Sequence, residues 1–244
     1  MSAPWVLCLA GLAAASAQSN SPGIPVLPGR FPEVAFIVDA MTHARAENRA
    51  RMRPYSLTRR YRLLREGHGA VRAEVLVSIR FLPPDAPRFS ILQSNGIRIG
   101  ETVVRQMLEH ETEIVRDFGS TDLSAANYDF AFLRDELLDG HRCFVLAMIP
   151  VRRDKTLIRG QVWVDAESYR LRRMEGAPGR PPSWWLRNSS IVLLYGDVEG
   201  MWLQTASESS ADVRLIGRHT MLSRDLQYEI SQPGTAVLPR HGAR

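Results

Sequence analysis

Val71-Arg72-Ala73-Glu74-Val75-Leu76-Val77-Ser78-Ile79-Arg80-Phe81 carries an apolar side chain at every odd position, with Arg72, Glu74, Ser78 and Arg80 on the other parity. Successive side chains of a strand point to opposite faces, so this period of two predicts a strand with one buried and one wet face. Just upstream, Tyr55, Leu57, Tyr61 and Leu63 alternate with Ser56, Thr58, Arg60 and Arg62 and predict a neighbour of the same kind. Pro83-Pro84-Asp85 ends the longer strand, and Phe89 to Leu92 begins a third.

On either side of these strands the period lengthens. Pro32-Glu33 places a proline and an acid where a helix begins, and Val34, Ile37, Met41 and Ala44 follow at helical spacing. That helix must stop before Pro54, because the residue preceding a proline is pushed out of the helical region. Between Glu101 and Phe118 the stripe Val103, Val104, Met107, Leu108, Glu111, Ile114, Val115 and Phe118 predicts a second helix, continuous or broken partway.

The second half returns to strands. Cys143 to Ile149 and Leu157 to Asp165 are apolar on both parities, so both their faces must be covered, or one must line an apolar hollow. Asp139-Gly140 is a strong hairpin signal and Glu199-Gly200 a weaker one. Short strands are predicted at Tyr169 to Glu175, Ile191 to Tyr195, Met201 to Ser207, Val213 to Ile216 and Leu226 to Ile230. Strands and turn signals over this length imply a curved antiparallel sheet or open barrel, mainly β with helices against it.

At 244 residues and 45% apolar content the chain can bury a good-sized core, and no linker interrupts its middle. One domain is expected over residues 33–231. Trp5 to Ala15 is an unbroken run of apolar and small residues, followed by Ala15-Ser16-Ala17. This fits an export signal, residues 1–17, cleaved after Ala17, although no Lys or Arg precedes the run. A Pro-rich extended segment over 18–32 and a tail over 232–244 complete the expected organisation. Cys8 invites a lipoprotein reading, but Leu7 stands where a small residue is needed. Without Cys8 the exported chain keeps Cys143 alone and forms no internal disulfide, so stability must come from packing.

The formal charge is +5, and Lys155 is the only lysine. From Arg45 to Arg65 eight arginines meet a single acid, Glu47. Arg51, Arg53, Arg60 and Arg62 are the candidates for contact with a membrane or an acidic partner, a solvated face being the simpler alternative. Export and the lack of any nucleic-acid-binding motif speak against nucleic acid. The sequence has no Gly-x-Ser-x-Gly elbow, no phosphate-cradling loop with a following lysine, no Cys-x-x-Cys and no paired histidines at metal spacing. His110 lies among Glu109, Glu111 and Glu113, yet these acids do not share its helix face. No catalytic residue, metal or cofactor is therefore assigned.

Asn127-Tyr128-Asp129-Phe130, Asp139-Gly140-His141-Arg142-Cys143-Phe144-Val145-Leu146 and Gly160-Gln161-Val162-Trp163-Val164-Asp165 form a series of motifs. Arg173-Met174-Glu175-Gly176, Pro182-Ser183-Trp184-Trp185 and Trp202-Leu203 extend it. Together, from about Tyr55 to Ile230, they resemble a diverged branch of the LolA-like outer-membrane lipoprotein-sorting proteins. The resemblance implies an incomplete antiparallel β-barrel capped by helices, with a hydrophobic cavity for acyl chains. It implies a periplasmic, non-enzymatic carrier of lipoprotein or phospholipid, with inner- and outer-membrane transport components as partners. Phe144, Leu146, Met148, Trp163, Trp185 and Trp202 are the expected cavity lining, with core packing the plainer role for each. Two alternatives stand beside it: an envelope sensor or scaffold of the same fold that binds a protein, and a hydrolase with a dispersed site.

Overall fold

The computed structural model describes residues 32–65, 70–83, 85–116, 121–154, 156–180, 186–213 and 217–230. In chain order the elements are α1 (Val34–Ala50), β1 (Tyr55–Arg65), β2 (Val71–Phe81), β3 (Arg88–Gly96) and α2 (Arg98–Arg116). Seven strands follow: β4 (Tyr128–Leu138), β5 (His141–Pro150), β6 (Ile158–Asp165), β7 (Leu171–Pro178), β8 (Leu186–Val198), β9 (Met201–Val213) and β10 (Gly217–Ile230). The ten strands form one antiparallel sheet in the order β3-β2-β1-β10-β9-β8-β7-β6-β5-β4. Strands β3 and β4 are its edges, so the barrel is not closed, and α2 connects one edge to the other.

The register shows which residues share a face. Ser94, Val75, Tyr61, Ser223, Ser207, Leu193, Met174, Val162, Leu146 and Phe132 are successive cross-strand partners, one from each strand. Directly opposed residues point the same way, so this row crosses the whole sheet on one face. Both helices lie on that face. α1 places Ile37, Val38 and Met41 against Phe144, Leu146, Met148, Val162, Val164 and Met174. α2 places Val104 and Leu108 against Leu57, Tyr61, Leu63, Val75, Val77 and Ile79. Between the two apolar clusters the row is polar, with Ser207 Oγ and Ser223 Oγ hydrogen-bonded at 2.7 Å. Each fully buried Ile, Leu or Met contributes roughly 1.5–3 kcal/mol relative to exposure, so both helices are held by their few apolar anchors.

The hairpin signals are realised as two-residue turns with positive φ at both central positions: Asp139 (50°) with Gly140 (82°), and Glu199 (49°) with Gly200 (86°). Such turns match the twist of the flanking strands. β4 is a strand that periodicity did not indicate, and the short strand expected at 226–230 needs correction, whereas the one expected at 213–216 lies, beyond Val213, outside the described residues. Val213 closes β9, while β10 is one strand from Gly217 to Ile230. Its mixture of Arg, His, Thr, Ser and Asp hides the alternation, and ladders to β1 and β9 supply what apolar periodicity does not. The export signal, the Pro-rich segment up to Phe31 and the tail lie outside the described residues. No described helix is long and apolar enough to cross a membrane.

Candidate functional site

Within the buried part of β1 one residue breaks the apolar parity. Arg59 lies between Leu57 and Tyr61 on the helix-covered face, and its side chain is only 8% exposed. A buried guanidinium needs a partner, and β10 supplies it through an irregularity in the ladder. Thr58 opposes Gln227 while Arg59 opposes Asp225, so Leu226 is the extra residue of a bulge. The Asp225 side chain is almost wholly buried, at 1% exposure. Arg59 Nε donates to Asp225 Oδ1 at 2.5 Å and Nη2 to Oδ2 at 3.3 Å, a forked pairing. The Tyr228 hydroxyl, beyond the bulge, donates to the same Oδ2. From α2, Glu111 Oε2 lies 3.5 Å from Arg59 Nη1.

Burial and neighbouring charge act against each other in this cluster. Burial opposes the Arg59 charge, but the Asp225 hydrogen bond and nearby negative charges override it and push the guanidinium pKa up. Burial raises Glu111, with Arg59 drawing it back and Asp225 reinforcing the rise. Its side chain nevertheless keeps 42% of its surface, so water reaches this carboxylate and limits the effect. Tyr228 is raised by burial and by donating to Asp225. Burial likewise pushes Tyr55 up to about 12.

Beside it is a hollow of about 200 Å³. Leu57, Ile79, Phe89, Leu108 and Leu203 form its apolar walls, and Arg59, Glu111, Thr112, Gln204, Tyr55 and Tyr228 its polar side. An apolar cleft with a few converging polar groups is the usual form of a small-ligand site. Its volume equals about seven waters' share of liquid, enough for part of a long alkyl chain.

The structure separates the residues expected to line one cavity. Phe144, Leu146 and Met148 are together, at 3%, 0% and 0% exposure, but in the core packed under α1. Trp163 opposes Val145 and therefore lies on the other face, in a cluster with Cys143. There the guanidiniums of Arg134 and Arg173 lie 5.7 and 5.2 Å from its ring. Trp202 donates Nε1 to Leu171 O at 2.6 Å, and the guanidiniums of Arg170 and Arg172 lie 5.4 and 5.3 Å from its ring. Trp185 is outside the described residues.

The arginine patch is divided too. Arg51 is exposed, with Nη2 3.5 Å from Glu47. Arg53 is a structural tie, donating Nη2 to Glu199 O at 2.6 Å and its backbone N–H to Met201 Sδ at 3.3 Å. Arg60 and Arg62 alternate with Arg59 and so occupy the face opposite to it. Arg60 opposes Arg224, and Arg62 Nε bonds Glu74 Oε2 at 2.9 Å. Two members of the buried cluster left a sequence signal: Arg59 on the apolar parity of a strand and Glu111 within the apolar stripe of a helix. Asp225 left none.

Cys143 is buried, and burial pushes its thiol up to about 11, as for an inert core residue. The His110 side chain is not among those described. Among the described residues no group of three or more His, Cys, Asp and Glu could hold a metal ion.

No family model and no curated protein matches the sequence. Among solved structures, the chain is similar to a DUF1329 family protein from Desulfovibrio piger, with TM-score 0.43 and 11% identity over 82% of this chain and 95% of that one. It is also similar to a LolA superfamily protein from Nitrosomonas europaea, with TM-score 0.38 and 11% identity over 80% and 94% of the two chains. A third is the lipoprotein LppX of Mycobacterium tuberculosis, with TM-score 0.30 and 12% identity over 80% and 96%.

Proposed function

We propose that the chain is a non-enzymatic periplasmic carrier that receives the acyl chain of a lipoprotein or phospholipid in the hollow beneath α2. The observation that carries this reading is the apolar cleft itself, walled by Leu57, Ile79, Phe89, Leu108 and Leu203 against the buried Arg59 cluster. Burying a methylene contributes about 0.8 kcal/mol, so a chain of about 14 carbons gains on the order of 10 kcal/mol before ordering costs. The present 200 Å³ cannot take such a chain entire. Uptake therefore requires α2 to rise from its seat on β1 and β2. Arg59 then stays with Asp225 while its contact to Glu111 opens. The motif resemblance between Tyr55 and Ile230 supports the cargo class, and the expected export signal supports the compartment.

Native mass spectrometry on protein purified from periplasm without detergent tests the reading. Stoichiometric phospholipid or acylated peptide is expected, together with uptake of a fluorescent fatty-acid analogue. A ligand-free protein that also fails to take up the analogue defeats the carrier.

A second reading, recognition of an envelope protein, has its own observation in the sheet edges. Leu92 on β3 and Leu133 and Leu137 on β4 are 57%, 44% and 72% exposed. An open edge bearing apolar side chains is a template for an added strand. Capture of one envelope protein at fixed stoichiometry by a lipid-free chain favours this alternative.

A further inference from the structure

A second hollow, of about 600 Å³, lies where the β5–β6 connection meets the end of β7, and four arginines line it: Arg152, Arg153, Arg159 and Arg180. The fold brings them together from three parts of the chain. Arg152 and Arg153 follow β5, Arg159 is the second residue of β6, and Arg180 follows β7. Arg159 opposes Ala177 in the ladder, and Gly179 N–H donates to Leu157 O at 2.7 Å, which fixes the β7 end beside the connection.

One of the four is anchored from beneath. Asn127, 3% exposed, donates Nδ2 to Asp122 O at 3.0 Å and to Asp122 Oδ1 at 2.5 Å. Its Oδ1 is left to accept from Arg152 Nη1 at 2.6 Å. Arg152 also lies 3.9 Å from Asp154, the only acid between Val151 and Leu157, a segment that holds the chain's only lysine as well. Asp154 is further engaged by the Thr156 backbone N–H and hydroxyl, each at 2.9 Å. Among the described residues, Arg153, Arg159 and Arg180 form no ion pair.

Several guanidiniums around one concavity repel one another until an anion enters, and their planar donor forks match phosphate oxygens. We propose that this hollow binds a phosphate-bearing anion, presented either as a lipid headgroup or as a soluble phosphate. The site stands apart from the α2 hollow, whose lining comes from β1, β2, β3, α2, β9 and β10.

The test uses the purified full chain and two probes. One is sedimentation with phosphatidylglycerol–phosphatidylcholine vesicles against phosphatidylcholine alone, and the other is calorimetric titration with inorganic pyrophosphate. The variant is Arg153→Gln/Arg159→Gln/Arg180→Gln, which leaves the anchored Arg152 in place. Arg72→Gln/Arg80→Gln/Arg88→Gln, on β2 and β3, controls for net charge. A surface arginine is worth about fivefold in binding to an anionic membrane, so the first variant should lose on the order of 100-fold while the control loses far less. Binding to the anionic vesicles alone identifies a headgroup site, and binding to pyrophosphate as well identifies a soluble phosphate ligand. Absence of binding to both probes overturns the proposal, as does an equal loss in the two triple variants.

Discussion

The Arg59–Asp225 pair illustrates how a buried charge stabilises only in company. The Asp225 carboxylate side chain is 1% exposed and has Arg59 as its countercharge, so Arg59→Met strands a buried anion. Breaking a buried pair from one side costs about 3–5 kcal/mol, whereas replacing both partners with apolar residues is often close to neutral. Urea unfolding should show this loss for Arg59→Met and recovery of most of it in Arg59→Met/Asp225→Leu. A different carboxylate contributes to stability in a pH-dependent way. Asp165 accepts from the Ser168 backbone N–H at 2.8 Å, its hydroxyl at 2.9 Å, the Glu167 N–H at 3.2 Å and Arg172 Nε at 2.5 Å. Burial works against its charge, but these donors prevail and bring its pKa down to about 2. A group whose pKa is depressed in the folded state stabilises above its unfolded value and loses that contribution as pH falls. Asp165 therefore contributes on the order of 2 kcal/mol above about pH 4, declining toward pH 2. In Asp165→Ala, unfolding free energy should be lower at neutral pH and fall less steeply across that acid window.

Among the elements, α2 has the closest fit to the sheet. A Cβ at Gly100 would overlap the Cβ of Ala73 on β2, so glycine lets the first turn of the helix seat directly on the strand. Gly100→Ala gains helix propensity of up to about 1 kcal/mol, but overpacking costs about 1–3 kcal/mol, and a net loss is expected. Ala73→Gly in the same chain should recover part of it, read by urea unfolding and by amide exchange confined to α2. The elements differ in how far the sequence disclosed them. β1 and β2 have one wet face, and their alternation is explicit. α1 has Ile37, Val38 and Met41 on one stripe and stops at Ala50, ahead of Pro54 as required. β4 was hidden because Arg134, Asp135 and Glu136 interrupt its alternation, and a register shift between Phe132 and Arg134 changes its parity midway. Of the polar β10 only Leu226 to Ile230 was read as a strand, for a related reason. Its hydrogen-bonding partners lie far away in sequence, and local periodicity does not report them.

At the scale of the whole sheet, a long cross-strand row on one face carries two separate cores with a serine pair between them. This geometry could not be read from local pattern, because it depends on β1 pairing with β10 across the length of the chain. It also explains why residues expected to line one cavity divide as they do. Phe144 and Met148 were legible as apolar, but α1 covers them, whereas a hollow with polar groups converging on it lies beneath α2. Substitutions should therefore separate by half. Met148→Ala deletes a wholly buried side chain and should cost about 2–5 kcal/mol in urea unfolding, while fatty-acid analogue affinity per folded molecule stays at the wild-type value. Phe89→Ser removes apolar surface from the wall of the α2 hollow on a partly exposed edge strand, so its stability cost should be smaller, roughly 1–2 kcal/mol. Losing about 1.4 kcal/mol of contact with the alkyl chain corresponds to about tenfold weaker binding, and Phe89→Ser should show at least that. If Met148→Ala weakens uptake and Phe89→Ser does not, the ligand lies under α1 and the division of the sheet into a structural half and a binding half is reversed.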